Sequence, residues 1–414
     1  MGDLDRVWLK SDARNTDSDE MDPSTVAQQV TPSGVGHSHV AESEAAGREA
    51  VSMALAGHTP TADDLVILFT DPDHDVEAVY RAACAEAAPA GVFGCTSTGG
   101  FTHSEQVPGG CVAALLAADD TSFGLCHLEC DEDDIAGSSR QAAELARARA
   151  GDRYPNSVLL LLTDGLTRDQ REIARGAYEV TTAVIPFVGG AAADNLTWNN
   201  THTFGDGRVL SRAIVAVWIN SERPMGVSVD HGWRPAGKPM LVTRAEGTVV
   251  HELDGTPALA AYLAEQGGSL ERTDVEFFRK VMSNPVGLPN ARGRYDVRQL
   301  HAFLPEGGGI NFNTGVSEQS ILQVMSTDDD ALIEGARRAA EDAVRQLTGK
   351  ARLALVFSCG SRVPLLGDRI RDEVTAISSA LDGVPVCGFY TFGEFARTTG
   401  SSGVHNSSVA VLAL

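Results

Sequence analysis

Two short stretches near the end of the 414-residue chain gather the residue types that do chemistry. VFSCGSR, residues 356–362, carries Cys359 and Arg362, and residues 384–406, VPVCGFYTFGEFARTTGSSGVHN, carry Cys387, Tyr390, Gly393, Glu394, His405 and Asn406. Each begins as an apolar run and ends in a loop. Arg362 and Glu394 are therefore expected at two strand ends of one sheet, where open α/β sheets hold their ligands. An ion pair tying two loops together uses the same two residues. Cys359 near His405 is the combination that sustains a reactive thiolate, so a cysteine-dependent enzyme is one alternative. No GxSxG, HExxH, P-loop or GxGxxG stands in the context its chemistry requires.

The elements that must position these residues form a block that recurs three times. An alanine-rich helical segment leads to an apolar strand, a helix, a second strand marked by glycine, and a closing strand. The first copy runs through residues 41–55, LVILF (65–69), a helix over 76–87, GVFGCTSTGG (91–100) and VAALLA (112–117). The second runs through 139–150, VLLLL (158–162), a helix over 168–177, IPFVGGAAAD (185–194) and AIVAVWI (213–219). The third runs through 331–347, LALVF (353–357), a helix over 368–381, VPVCGFYTFGE (384–394) and VAVLAL (409–414). The fold class is α/β: repeated strand-helix-strand units in largely parallel or mixed sheets, with strands buried on both faces. TSFGLCHLEC (121–130) and SILQVM (320–325) extend the scheme ahead of the second and third long helices. Gly94, Gly189 and Gly388 fall at corresponding strand ends, which adds Cys95, Thr96, Gly189, Gly190 and Asp194 to the candidate ligand-binding residues. Cys95 and Cys387 also suit plain packing, and Asp194 with Asn195 either caps the following segment or holds a ligand ammonium.

Residues 225–320 break the repeat as an inserted mixed α+β region. It opens with a hairpin over 240–255 turning near Gly247, continues with a helix that has proline in its first turn, and closes with two strands around the glycine bend of LHAFLPEGGGINF (300–312). Residues 1–34 carry seven acids, three bases and two prolines and are expected to be a mobile tail.

The net charge of -23 repels nucleic acid and anionic membrane surfaces, which leaves small molecules and proteins as partners. Seven cysteines, an odd count with no CxxC pair, point to a reducing cytoplasm and away from disulfides or zinc fingers. No apolar run reaches the length of a membrane span, and no signal peptide opens the chain.

Six motifs, in order, resemble the FIST proteins: GCTSTGG (94–100), VGGAAADN (188–195), VTRAEGTVVHELDGTPALAAY (242–262), FSCGSR (357–362), CGFYTFGEF (387–395) and HNSS (405–408). The resemblance covers roughly residues 36–414. It implies a FIST N-like domain over 35–222 and a FIST C-like domain over 223–414, the latter divided into the inserted region and a third repeat over 321–414. It further implies a sensory module of prokaryotic signal transduction that binds a small polar metabolite inside the cell. In an amino-acid ligand of the kind this resemblance suggests, Arg362 would grip the carboxylate and Glu394 the amine. Family chains often carry an output domain, and none follows Leu414, so the expected output partner is a separate protein. Some relatives resemble haem-dependent nitric oxide sensors, which makes haem the one cofactor to weigh, with His405 as its ligand.

Overall fold

Unalternating apolar strands such as Leu65–Thr70, Ala354–Cys359 and Val409–Ala413 can bury both faces only if something covers each of them. The computed structural model, which describes residues 34–167, 169–266, 282–290, 293–304, 306–398 and 403–414, shows how this is done. Residues 32–414 form one compact unit, and the described residues within it build three six-stranded sheets and a fourth, nine-stranded one. The expected tail falls outside the described residues except for Gly34.

Each six-stranded sheet is built on one plan. In the first, Leu65–Thr70 runs parallel to Gly91–Thr96, and Cys111–Leu116 and then Val35–Ser38 add antiparallel on the far side. Asn156–Thr163, Phe187–Ala191, Ala213–Ser221 and Thr121–Glu129 repeat the arrangement in the second. Ala354–Cys359, Val386–Thr391, Val409–Ala413 and Gly226–Asp230 repeat it in the third. The sheets are thus mixed, with a single parallel pair in each. The helices are those expected from periodicity, capped at their starts by Glu42, Asp75, Asp134, Asp169 and Asp328.

The fifth and sixth strands of every sheet come from another unit. The first unit's hairpin, Gly100–Thr102 with Gln106–Val107, pairs with Val386–Thr391 of the third. The third unit's hairpin, Glu394–Arg397 with Gly403–His405, pairs with Phe187–Ala191 of the second. The second unit's hairpin, Thr203–Gly205 with Arg208–Leu210, pairs with Gly91–Thr96 of the first. The exchange closes a ring. Inside it the three inner faces share one apolar core, in which Phe69 stacks on Phe389 with ring centroids 4.1 Å apart. Outside it each sheet carries its own pair of helices.

Two sequence expectations change. Ile321–Ser326 does not extend the third sheet: it lies in the nine-stranded antiparallel sheet of the inserted region, and Gly226–Asp230 takes the edge position instead. The insertion therefore splits the third unit between its edge strand and its first helix, Asp329–Val344. The marker glycines lie in equivalent strands but are not turns. A Cβ at Gly94 or Gly189 would stand 1.7 or 1.8 Å from the carbonyl oxygen of Leu68 or Leu161 on the paired strand, and one at Gly388 would strike the Phe101 ring of the exchanged hairpin at 2.3 Å.

The hairpin exchange predicts that the halves 1–222 and 223–414 do not fold apart, because each lacks strands that complete its sheets. Expressed singly, neither half should show a cooperative thermal transition, whereas co-expressed halves should purify as one folded complex. A native-like cooperative melt of either half alone would show that the exchange is dispensable.

Candidate functional site

The three glycine-marked stretches do meet. Where the parallel pairs end, their loops are laced together by backbone hydrogen bonds: Ala193 N–H to Thr96 O at 3.0 Å, Thr98 N–H to Tyr390 O at 3.1 Å, and Phe392 N–H to Ala191 O at 3.1 Å. Gly360 N–H donates to Thr391 O at 2.7 Å and Ala191 N–H to Gly393 O at 2.8 Å, which draws in the turn after Cys359. Each unit thus bonds to the other two at this point.

Behind the lacing lies a buried polar cluster. The Glu394 carboxylate, fully buried, accepts from Thr391 Oγ1 at 2.7 Å, Ser408 Oγ at 2.7 Å and Ser408 N–H at 3.2 Å. Among the described residues no cation pairs with it, and burial pushes its pKa up to about 7 against the downward pull of those hydrogen bonds. The Cys359 thiol accepts from Ser361 Oγ at 3.1 Å. Burial, and then the Glu394 charge, push it up to about 12. A thiol so placed stays protonated at neutral pH, and its neighbour is an acid where a cysteine nucleophile needs a base. His405 does not help it, because its Nε2 donates to Ala396 O at 2.9 Å. The Thr98 hydroxyl, buried beside this cluster, has no hydrogen-bond partner among the described residues.

Arg362 requires a correction. It starts the short helix Arg362–Leu366 and is completely buried, with Nε donating to Glu373 at 2.7 Å, Nη2 within 2.7 Å of the same carboxylate, and the remaining donors on the carbonyls of His231, Leu332 and Ser407. A guanidinium with every edge occupied by the protein has no fork left for a ligand carboxylate. Glu394 also departs from expectation, since it opens a strand of the second sheet, not the third, and neither residue lines the cleft described below. The other candidates are likewise accounted for within the fold. Asp194 accepts from the N–H groups of Trp198, Asn199 and Asn200 and from Thr197 Oγ1, which makes it a loop cap. Thr96 bonds to the backbone of His202, and Tyr390 Oη accepts from Gln106 at 3.0 Å. Cys95 and Cys387 are core residues, their thiols pushed up by burial. Gly190 lies against Thr391, whereas Gly393 has open space where a Cβ would stand, except for Asn406 Nδ2 at 3.9 Å.

The HNSS motif leads from this cluster to the surface. Asn406 Oδ1 accepts from Gln299 N–H and Thr314 Oγ1 at 3.3 Å each, and Ser407 Oγ donates to Gln299 Oε1 at 2.8 Å, so the motif docks the inserted region. His405, one residue earlier, lines a cleft of about 930 Å³ between that region and the third unit. Acidic and basic groups share its walls, among them Asp230, Asp296, Arg294 and Arg338. Burial would raise Asp230, but the Arg338 fork, with both bonds at 3.0 Å, outweighs it and holds the carboxyl below its usual range. Two imidazoles stay neutral here. Burial lowers His231, whose Nδ1 accepts from Trp233 N–H, and takes His405 down to about 4. Sequence reasoning found only His405, because the rest of the lining comes from separate elements with no common motif. A haem does not fit: Asp and Glu carboxylates stand among the lining where an apolar ring needs a flat apolar slot, and the His405 Nε2 that would meet iron is committed to a carbonyl.

Three exchanged α/β units around one core, with a polar cleft of ligand size set against the third, define the class of protein. The chain belongs to the FIST family, sensory domains of signal transduction tied to small ligands: the FIST N domain matches residues 64–256 and the FIST C domain residues 257–397. Similar proteins include an uncharacterized protein of Mycobacterium tuberculosis, 26% identical over 91% of this chain and 98% of its own length. Another, from Mycobacterium bovis, is 28% identical over 54% of this chain and 59% of its own, and one from Methanocaldococcus jannaschii is 25% identical over 57% and 48%.

Two outcomes follow from the buried groups. Arg362→Ala removes the cation that pairs with the fully buried Glu373 and is expected to cost roughly 3–5 kcal/mol in denaturant unfolding; an unchanged midpoint would release Arg362 from its structural role. Glu394 carries a folded pKa above its ordinary 4.5, so the folded chain gives up a proton that it holds more tightly than the unfolded chain does. Stability should fall by on the order of 3 kcal/mol as pH rises from about 4.5 through about 7 and then level off, and Glu394→Gln should flatten that slope. A wild-type profile parallel to that of the glutamine variant would contradict the assignment.

Proposed function

We propose that this FIST protein is a sensor that binds a small polar metabolite, an amino acid or similar zwitterion, in the cleft between the third unit and the inserted region. The observation that carries this reading is the lining: opposite charges set around two neutral imidazoles in about 930 Å³, a volume within the ordinary range of ligand sites. Arg294 is the carboxylate grip, since among the described residues its guanidinium makes a single 3.7 Å ion contact, with Asp230, which leaves it a fork to offer. Asp296 supplies the negative side for an ammonium, Asp230 being taken up by the Arg338 fork. The cleft walls come from the third unit and the inserted region, joined through Asn406 and Ser407, so a ligand that grips both walls tightens the contact between them.

The signal then has a physical route. His405, Asn406, Ser407 and Ser408 are consecutive, and they connect the cleft wall, the inserted region and the Glu394 carboxylate in that order. A separate output protein reads the resulting state, at a protein surface and not at a membrane or nucleic acid, which the charge of -23 disfavours. The setting is the cytoplasm, where seven thiols without a disulfide stay reduced.

A thermal-shift screen of the common amino acids tests the proposal. A true ligand at a hundred times its Kd stabilises by about 2.7 kcal/mol. Arg294→Lys should weaken that ligand by roughly tenfold or more while leaving the melting temperature of the free protein unchanged, because a point charge cannot replace a planar fork. If no member of the panel shifts the transition, or if the lysine variant binds as wild type does, the cleft assignment is wrong.

A further inference from the structure

His37 and His39 stand two residues apart at the edge of the first sheet, one in the strand Val35–Ser38 and one just beyond it, a spacing that sends both rings to the same face. Glu105 meets them from the turn between Gly100–Thr102 and Gln106–Val107. That turn is firmly held: Thr102 Oγ1 accepts from the N–H groups of Ser104 at 3.3 Å and Glu105 at 3.4 Å, and Thr102 N–H donates to Glu105 O at 2.8 Å. The histidine strand is fixed by its register on residues 111–114. Three ligand-bearing side chains are thus delivered to one point by two secure pieces of backbone.

Their donor atoms all lie within 4.8 Å of one another. His37 Nε2 is 2.5 Å from one Glu105 oxygen and His39 Nε2 is 3.7 Å from the other. Around a tetrahedral ion with bonds of about 2.0–2.1 Å, neighbouring ligand atoms sit roughly 3.3 Å apart, a spacing that these distances bracket. A histidine-carboxylate hydrogen bond alone would account for His37 but not for a second ring turned to the other carboxylate oxygen. Among the described residues this is the one set of three histidine, cysteine or acidic side chains gathered so closely.

We propose that His37, His39 and Glu105 form a binding site for a late divalent transition-metal ion, Zn²⁺ foremost, with its fourth position open to solvent. Two imidazoles and one carboxylate suit zinc and its neighbours, whereas magnesium and calcium require oxygen ligands throughout. The ion would join the first unit's edge strand to the hairpin that completes the third unit's sheet. Occupancy would then stiffen the contact between those two units.

Calorimetric titration of the full, tag-free chain with Zn²⁺ tests this. One ion should bind per chain and raise the melting temperature, Mg²⁺ at the same concentration should do neither, and Co²⁺ should give visible d–d bands of a low-coordinate nitrogen and oxygen site. His39→Ala should weaken Zn²⁺ by roughly tenfold or more, and His37→Ala with His39→Ala should abolish specific binding. The side chains are partly exposed, at 23% and 48%, so the metal-free melting temperature should hold. If the double variant folds poorly, Glu105→Gln serves the same purpose, with the same tenfold loss expected. Zn²⁺ binding of wild-type affinity and stoichiometry in these variants, or no binding to the wild type with the ion in large excess, would overturn the proposal.

Discussion

The inner faces of the three sheets have only one another to bury against. Ile67 and Phe69 of the first unit, Leu160 and Leu162 of the second, and Phe357 and Phe389 of the third all belong to one apolar cluster, and each lies almost wholly out of solvent. Exposing any one of these faces would return several large side chains to water, at roughly 1.5–3 kcal/mol each. That common burial requires the sheets to be held together, which the exchanged hairpins do. It also drives every polar side chain of the marked motifs toward the strand ends, where backbone from all three units converges.

At that convergence the low dielectric treats two charged groups in opposite ways. Arg362 and Glu373 pair with each other, and three carbonyls take up the remaining guanidinium donors. Glu394 has hydroxyls and an amide but, among the described residues, no cation, and its proton is correspondingly harder to remove. The first arrangement locks the third unit's helices to its sheet. The second leaves a group poised near neutrality where the strand-end loops of all three units are laced together, four residues of HNSS away from the cleft.

The elements that could be read from sequence are those whose signal is local. Apolar runs marked the paired strands, alanine-rich periodicity marked the helices, and Gly247, at φ +58°, marked its hairpin turn. The exchange was not legible, because it rests on strands as short as Gly100–Thr102, whose partner Val386–Thr391 lies in another unit. The partner of Arg362 was missed for a related reason: Glu373 lies 11 residues on, but past a break at Gly367–Arg369 that hides the helical spacing. The cleft was invisible because its walls are assembled from an edge strand, a long helix and the inserted sheet, each of which contributes a few charges that would pass for ordinary surface.

Val409–Ala413 is not a peripheral strand. It lies inside the third sheet, flanked by Gly226–Asp230 and Ala354–Cys359. The second sheet likewise waits for Glu394–Arg397, and the third for a hairpin made far earlier in the chain. During synthesis, then, the first two units emerge from the ribosome with their shared face still uncovered, and contacts of very long sequence separation must form before the ring can close. Such a topology makes folding a late, nearly all-or-none event. The nascent chain depends on protection of that apolar face until Val409–Ala413 has been made.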